Sequence, residues 1–562
     1  MLRDHPRRIF GRRRAPSPWD DQKPIRHELF SVERLEEHAR SLAAAQPVTP
    51  KPTRGHPLAG RLADNAAVLL ESHRIIAEAT DKGRAITPAA EWLLDNYHLV
   101  EKQIHDIRFD LPPGYYRQLP KLADGPLAGY PRVLGVTWAF VAHTDSRFDP
   151  AMLCRYVAAY QQVQPLTIGE LWALAITLRI VLIENLRRFA QNIVRNRASR
   201  QEANRLADRL LGVGGTAEPA PVVFAEHERA PLTDVFAVQL VYRLRDQDPR
   251  VTPALAWLDQ RLLAQGTTAD AVVREVHQRQ GAASVTVRNI ITSMRMISDV
   301  DWTELVESVS LVDDALAAGG SFTEMDFPTR NLYRSAIEEL ARGSARTEID
   351  IAQRAVAAAN SVVAGSLGQT PPEGTDGRRN DPGYFLLAGG RRGFEALIGF
   401  HPPLRAWPGR LNRAFGVGGY ALAIALVTAV LVALPLLALA ATGLGAAWLS
   451  LLGVLGAIPA VDVAVALVNR AAVSGFGARL LPAMELRDGI PADLRTLVAV
   501  PTLLTTPAAI EEQVERLEVH HLASPEGDLQ FAMLSDWVDA TTEHADGDTS
   551  LLAAAREGIA RL

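Results

Sequence analysis

The side chains able to do chemistry are few and scattered. His98, Glu101 and His105 recur at steps of three and four, which on a helix gathers two imidazoles and a carboxylate within about 60°, a set that suits a transition metal. The polar border of an amphipathic helix has the same look, and Lys102 and Arg108 beside them favour that plainer reading. Two acidic triplets, Asp299-Val300-Asp301 and Asp546-Gly547-Asp548, have the form in which carboxylates hold a divalent cation on a diphosphate. Three letters are a weak signal. The first triplet lies in a helical pattern and the second in the loop TTEHADGDTS, so neither is taken as catalytic. Arg187, Arg188, Arg195, Arg197, Arg200, Arg205 and Arg209 make a basic helical stretch. A solvated or salt-bridged face accounts for it first. Phosphate of a lipid or nucleotide comes second, and nucleic acid third, since no reader motif accompanies the charge.

The elements that would position these groups are helices. Over 22–365, Thr87-Pro88 supplies an N-cap and a proline at the first helical position, after which Leu93, Tyr97, Val100, Ile104 and Ile107 mark one buried face. Thr167-Ile168-Gly169-Glu170 is a capping box opening LWALAITLRIVLI, an apolar run too short to cross a bilayer and therefore a core helix. Residues 219–225 (PAPVVFA) are a weak strand exception. From 366 to 410 glycine, proline and arginine dominate, a linker feeding a segment in which Phe394, Leu397, Ile398, Phe400 and Trp407 suit a headgroup layer.

From Ala414 to Val461 there is no charged residue, far more than the roughly 20 apolar residues one crossing needs. Thr442-Gly443-Leu444-Gly445 breaks the stretch, predicting two antiparallel spans over 417–441 and 446–469. Two buried helices of a large soluble core are the alternative. Arg391, Arg392, Arg405, Arg410 and Arg413 precede the spans and Arg470, Arg479, Arg487 and Arg495 follow them, which places both flanks in the cytoplasm by the positive-inside rule. Asp462 interrupts the second span. It reads equally as an intramembrane functional carboxylate and as an interfacial group near Asn469 and Arg470.

The chain has 562 residues, a net charge of −5 and one cysteine, Cys154. An internal disulfide and a cysteine-based zinc site are thereby excluded, and a general nucleic-acid binder is disfavoured. The start, MLRDHPRRIFGRRRAPSPWDD, is basic without the apolar core of a signal peptide. It is either a disordered tail or a polybasic segment lying on anionic lipid. After the hairpin, LVAVPTLL, the helical AAIEEQVERLEVHHLA and LQFAML spell strand, helix, strand. That is the opening of a parallel α/β sheet, whose ligands bind at the carboxyl ends of strands.

Four runs together resemble the bacterial cyclic β-1,2-glucan synthases: WLLDNYHLVEKQIHDIRFDLPPGYYRQLPKL, LTIGELWALAITLRIVLIENLRRFAQNIV, MDFPTRNLYRSAIEELARGS and VAVPTLLTTPAAIEEQVERLEVHHLASPEGDLQFAMLSDWVDA. The resemblance runs from about Trp92 to the end. It implies the amino-terminal portion of a multi-pass enzyme of the bacterial inner membrane, with both termini cytoplasmic, that uses UDP-glucose and a divalent metal in its complete form. The fold expected is mainly α: a basic tail (1–21), a cytoplasmic helical domain (22–365), a linker and interfacial segment (366–415), a transmembrane hairpin (416–470), a connector (471–495) and the first strand-helix-strand of a truncated A-type glycosyltransferase domain (496–562). No catalytic or metal-binding residue is carried over. Pro501 and Thr502 at the end of the first strand, Asp536 at the end of the second, and Asp539 nearby fall where transferases of this fold line the pocket for uracil and ribose. A carboxylate capping the next helix or turn is the other reading of Asp536. The chain alone is expected to be inactive, its partners being the lipid bilayer, UDP-glucose once the domain is completed, and the missing catalytic portion. A membrane-anchored helical scaffold docking a separate catalytic partner is the alternative.

Overall fold

Thr167 caps its helix in both directions: its side chain accepts from the Glu170 backbone, and the Glu170 carboxylate accepts from the Thr167 N–H at 3.0 Å. The short helix Ile168–Trp172 passes through Ala173 into Leu174–Leu211, the long helix around which the first unit packs. Its apolar run, including Leu178, Val181, Leu182 and Ile183, is buried as expected of a core helix. The computed structural model describes residues 19, 21–50, 52, 57–110, 112–213, 223–224, 232–245, 252–365, 377–403, 407–476, 480–486, 489–524, 527–543 and 545–562. The chain is mainly α-helical and forms two units, Met1–Asp313 and Asp314–Leu562.

In the first unit the helices Leu58–Asp81, Arg132–His143, Asp234–Leu244 and Ala269–Asp299 lie against the long helix. Thr87 accepts from the Ala90 N–H, with Pro88 in the first turn. The helix predicted beyond it is two, Pro88–Asp95 and Tyr97–Asp110, because Asn96 leaves helical geometry at φ −114°. The buried face survives the break: Leu93, Tyr97, Val100, Ile104 and Ile107 are all in the core. Two strands too short to show a pattern, β1 (Val48–Thr49) and β2 (Lys121–Leu122), pair antiparallel. Of the weak strand 219–225, only Val223 and Phe224 are described, and they are helical and buried. The basic tail up to residue 18 and the linker 366–376 lie outside the described residues.

A buried ionic knot fixes the centre of this unit. Glu184, fully buried, accepts from Arg61 Nε at 2.9 Å, Asn65 Nδ2 at 2.9 Å and Arg188 Nε at 2.9 Å. Burial pushes its carboxyl up, but the Arg61 hydrogen bond and the charges of Arg188 and Arg61 outweigh it, leaving the pKa below the ordinary range. Next to it, Asn185 accepts from the Ile25 N–H at 2.7 Å and donates to the Ile25 carbonyl at 3.1 Å, while Arg188 donates to the Lys23 carbonyl at 2.8 Å. The segment around Lys23–Ile25 is thereby strapped to the long helix.

The second unit carries the helices Phe327–Arg342, Glu348–Gly365 and Arg391–Ile398, then the apolar hairpin, then a parallel strand-helix-strand. Phe394, Ile398 and Phe400 are buried in protein rather than offered to a headgroup layer. Phe400 lies against Gly343, where a Cβ would collide with its ring, and only Leu397 and Trp407 of that set are exposed. Glu395 is held between Arg391 Nε at 3.1 Å and Arg410 Nη1 at 3.2 Å.

The hairpin helices are Trp407–Ala440 and Ala446–Phe476. The first is interrupted at Gly416, whose φ of 51° and ψ of −133° only glycine adopts without strain. Two portions, Gly416–Ala440 and Ala446–Gly475, are long and apolar enough to cross a membrane. The second is six residues longer than 446–469 predicts. Pro435 and Pro459 both sit inside helix, and Asp462 is exposed on the second of them.

Candidate functional site

After the hairpin, β3 (Thr496–Leu504) and β4 (Leu529–Trp537) pair parallel, joined by the helix Pro507–Leu522. Thr506 accepts from the Ala509 N–H at 3.2 Å and Pro507 fills the first helical position, which starts this crossover helix immediately after β3. A last helix, Asp548–Arg561, lies beside it: Leu504, Ile510, Val514 and Ala555 form a small core with Met533 against it. Gly558 lets the two helices approach, since a Cβ there would meet Val514 Cγ2 at 2.8 Å.

The register decides which candidate residues meet. Pro501 lies opposite Leu534, Thr502 opposite Ser535 and Leu503 opposite Asp536. Side chains alternate faces along a strand, so Pro501 and Asp536 share one face with Leu503 and Leu534. Thr502 shares the other with Val500 and the buried Leu504, the face the helices cover. Pro501 and Thr502 do not end β3, as the sequence suggested. The ladder runs on to Leu504, because burial of that side chain under the helices keeps two more residues paired. Asp536 is one residue from the end of β4, exposed, and its Oδ1 accepts from the Trp537 N–H at 2.8 Å. Asp539 is exposed two residues beyond the strand. The carboxyl edge of the sheet thus presents Pro501 and Asp536 on its bare face and Thr502 on the covered face, with Asp539 past the rim.

The other acidic and basic candidates have structural employment. Asp301 accepts from the backbone N–H groups of Thr303 at 2.8 Å and Glu304 at 3.3 Å, capping the helix Trp302–Val309. Asp548 accepts from the Ala545 N–H at 2.9 Å. His98, Glu101 and His105 are exposed, and among the described residues no group of three His, Cys, Asp or Glu side chains could hold a metal. In the basic stretch, Arg187 and Arg188 are buried at Glu184. Arg197 and Arg200 instead line a cavity of about 870 Å³ in the first unit, a grouping that spacing along one helix could not reveal because Arg84 and Arg279 come from elsewhere.

The described chain is a helical region, an apolar hairpin of membrane-spanning length and the start of a parallel α/β unit of the kind that binds nucleotides at its carboxyl edge. No family model matches it. Over 552 residues it is 35% identical to the cyclic β-(1,2)-glucan synthase NdvB of Rhizobium meliloti (strain 1021), an alignment covering 97% of this chain and 19% of that protein. The chain is therefore a relative of cyclic β-1,2-glucan synthase along almost its whole length, and spans about a fifth of the length of the relative it matches.

Proposed function

We propose that the chain forms part of a membrane-bound, UDP-glucose-dependent glucosyltransferase that makes cyclic β-1,2-glucan. The observation that carries this reading is the 35% identity sustained over 97% of the chain to a protein of that activity. In this proposal the hairpin crosses the inner membrane twice, with the arginine-rich flanks cytoplasmic. The sheet then lies on the side where sugar nucleotides are made, and Asp536 accepts a hydrogen bond from the ribose hydroxyls or the uracil N–H of UDP-glucose, with Pro501 on the same face and Asp539 past the rim beside the nucleotide.

The bare face of the sheet extends the proposal to a partner. Leu497, Leu503 and Leu534 are 62%, 58% and 63% exposed, and two strands alone do not make a stable sheet. Further helices cover this face and further strands extend the sheet, on the same or a separate polypeptide, and supply the groups that protonate, deprotonate and stabilise the departing diphosphate. The chain by itself is then inactive.

Deleting the reading frame is expected to remove cyclic β-1,2-glucan from the source cells, and unchanged glucan would overturn the function. Membranes holding only this chain are expected to leave labelled UDP-glucose unincorporated. Reporters fused near Ser366 and after Arg495 should both read cytoplasmic, and opposite sides would refute the two-span hairpin.

A further inference from the structure

The 870 Å³ cavity of the first unit has the size of a small-molecule site, and its charge is one-sided. Five arginines line it, and no carboxylate does among the described lining residues. Two of the five are neutralised in place: Arg26 pairs with the buried Asp145 at 3.1 Å and Arg279 with Asp234 at 2.7 Å. The remaining three, Arg84, Arg197 and Arg200, are differently placed. Arg200 donates to the neutral Gln280 at 3.3 Å, and burial, then the charge of Arg197, push its pKa below the usual guanidinium range. The carboxylate whose charge couples to Arg84 and Arg197 is Glu78, which is exposed. Arg197 and Arg200 are half-buried and Arg84 is exposed, and like charges lining one hollow repel one another unless an anion joins them.

The rest of the lining says what the anion is attached to. Apolar Phe189, Ile193 and Val276 alternate with the amides of Asn192, Asn196 and Gln201. An acyl chain laid here would strip water from those amides without offering hydrogen bonds, whereas a nucleobase or sugar offers both donors and acceptors.

We propose that this cavity binds a phosphorylated polar small molecule of the nucleoside diphosphate class, its phosphates held by Arg84, Arg197 and Arg200 and its base or sugar by the amides. The site lies in the first unit and is distinct from the sheet edge around Asp536 in the second.

Calorimetric titration of the detergent-solubilised full chain with ADP, UDP, inorganic pyrophosphate and dihexanoyl phosphatidic acid tests this. At least one of the two nucleotides should bind, with affinity falling as salt rises. Arg84→Gln and Arg200→Gln should each weaken it tenfold or more, while Arg155→Gln, at an exposed arginine that does not line the cavity, leaves it unchanged. The arginine variants are expected to melt at or above the parent temperature, since each removes a crowded like charge, so that lost binding reports the site and not the fold. No binding of either nucleotide at millimolar concentration would overturn the proposal. So would binding that survives both arginine substitutions or is lost equally in Arg155→Gln, and so would pyrophosphate or the short phosphatidic acid binding as tightly as the nucleotide.

Discussion

Tyr420 Oη donates to Asn469 Oδ1 at 2.7 Å, joining the two apolar helices at the end opposite their glycine turn. Hydrogen bonds between helices in bilayers contribute on average ~0.6 kcal/mol and at most ~1.7 kcal/mol. Tyr420→Phe is expected to loosen the hairpin by that amount, read as an earlier midpoint in detergent-induced unfolding. Asn469→Ala should cost about as much, and the double variant little more than either, because both remove the same bond.

Glu184 is the carboxylate on which Arg61, Asn65 and Arg188 converge. Removing one member of a buried charge cluster leaves the others uncompensated, at a cost of ~3–5 kcal/mol. Glu184→Gln, nearly the same shape, should therefore destabilise the first unit by that order in urea unfolding. The same group sets an acid limit. Its folded pKa lies below the ordinary carboxylate value of 4.5, so its contribution is complete above that pH and is lost as pH falls through the lower folded value.

Lys121 behaves in the opposite sense. Its Nζ donates to the Tyr116 carbonyl at 2.6 Å and lies 3.6 Å from the centre of the Tyr116 ring, and burial brings its pKa down to about 8 against the charge of Glu170. Between about 8 and the ordinary lysine value of 10.5 the unfolded chain holds a proton that the folded chain has released. Stability in that window rises with pH. The unfolding midpoint of the parent should gain on that of Lys121→Met from pH 8 towards pH 10, a comparison in which the buried tyrosines common to both chains cancel. A parent midpoint that loses ground to Lys121→Met over this range would contradict the buried placement of the amine.

Asp536 stands on the bare face at the carboxyl edge of β4. If it accepts from the nucleotide, Asp536→Asn exchanges a charge-assisted bond of roughly 1.5–3 kcal/mol for a weaker or repulsive contact. Apparent UDP-glucose affinity, measured on a folded enzyme with a complete transferase domain, should then drop about tenfold or more. An unchanged affinity would assign the carboxylate to its own turn, where it already receives the Trp537 N–H.

Much of this was legible in the sequence because it is local. Capping residues name their helix starts, and Thr167 and Thr87 each cap where the pattern placed them. The hairpin announced itself by length without charge. What escaped depends on partners far away along the chain. Phe394, Ile398 and Phe400 beside arginines look like interfacial anchors until Gly343 supplies the hollow for Phe400. The arginine run on the long helix looks uniform, yet Arg187 and Arg188 are buried at Glu184 while Arg197 and Arg200 face a cavity built with other segments. Spacing also could not say that Thr502 faces away from Asp536, because that follows from the pairing register.

The strap at the amino end has a consequence for synthesis. Ile25 is tied to Asn185 across 160 residues, so the ribosome must translate the whole intervening length before Ile25 can meet this partner. At the usual ~5–20 residues per second the wait is roughly 8–30 s. During it Lys23 and Ile25 lack Arg188 and Asn185, the long-helix groups that strap them, and are more open to proteases and chaperones. A stalled message ending before Asn185 should leave them cleavable, and one that has cleared it should not.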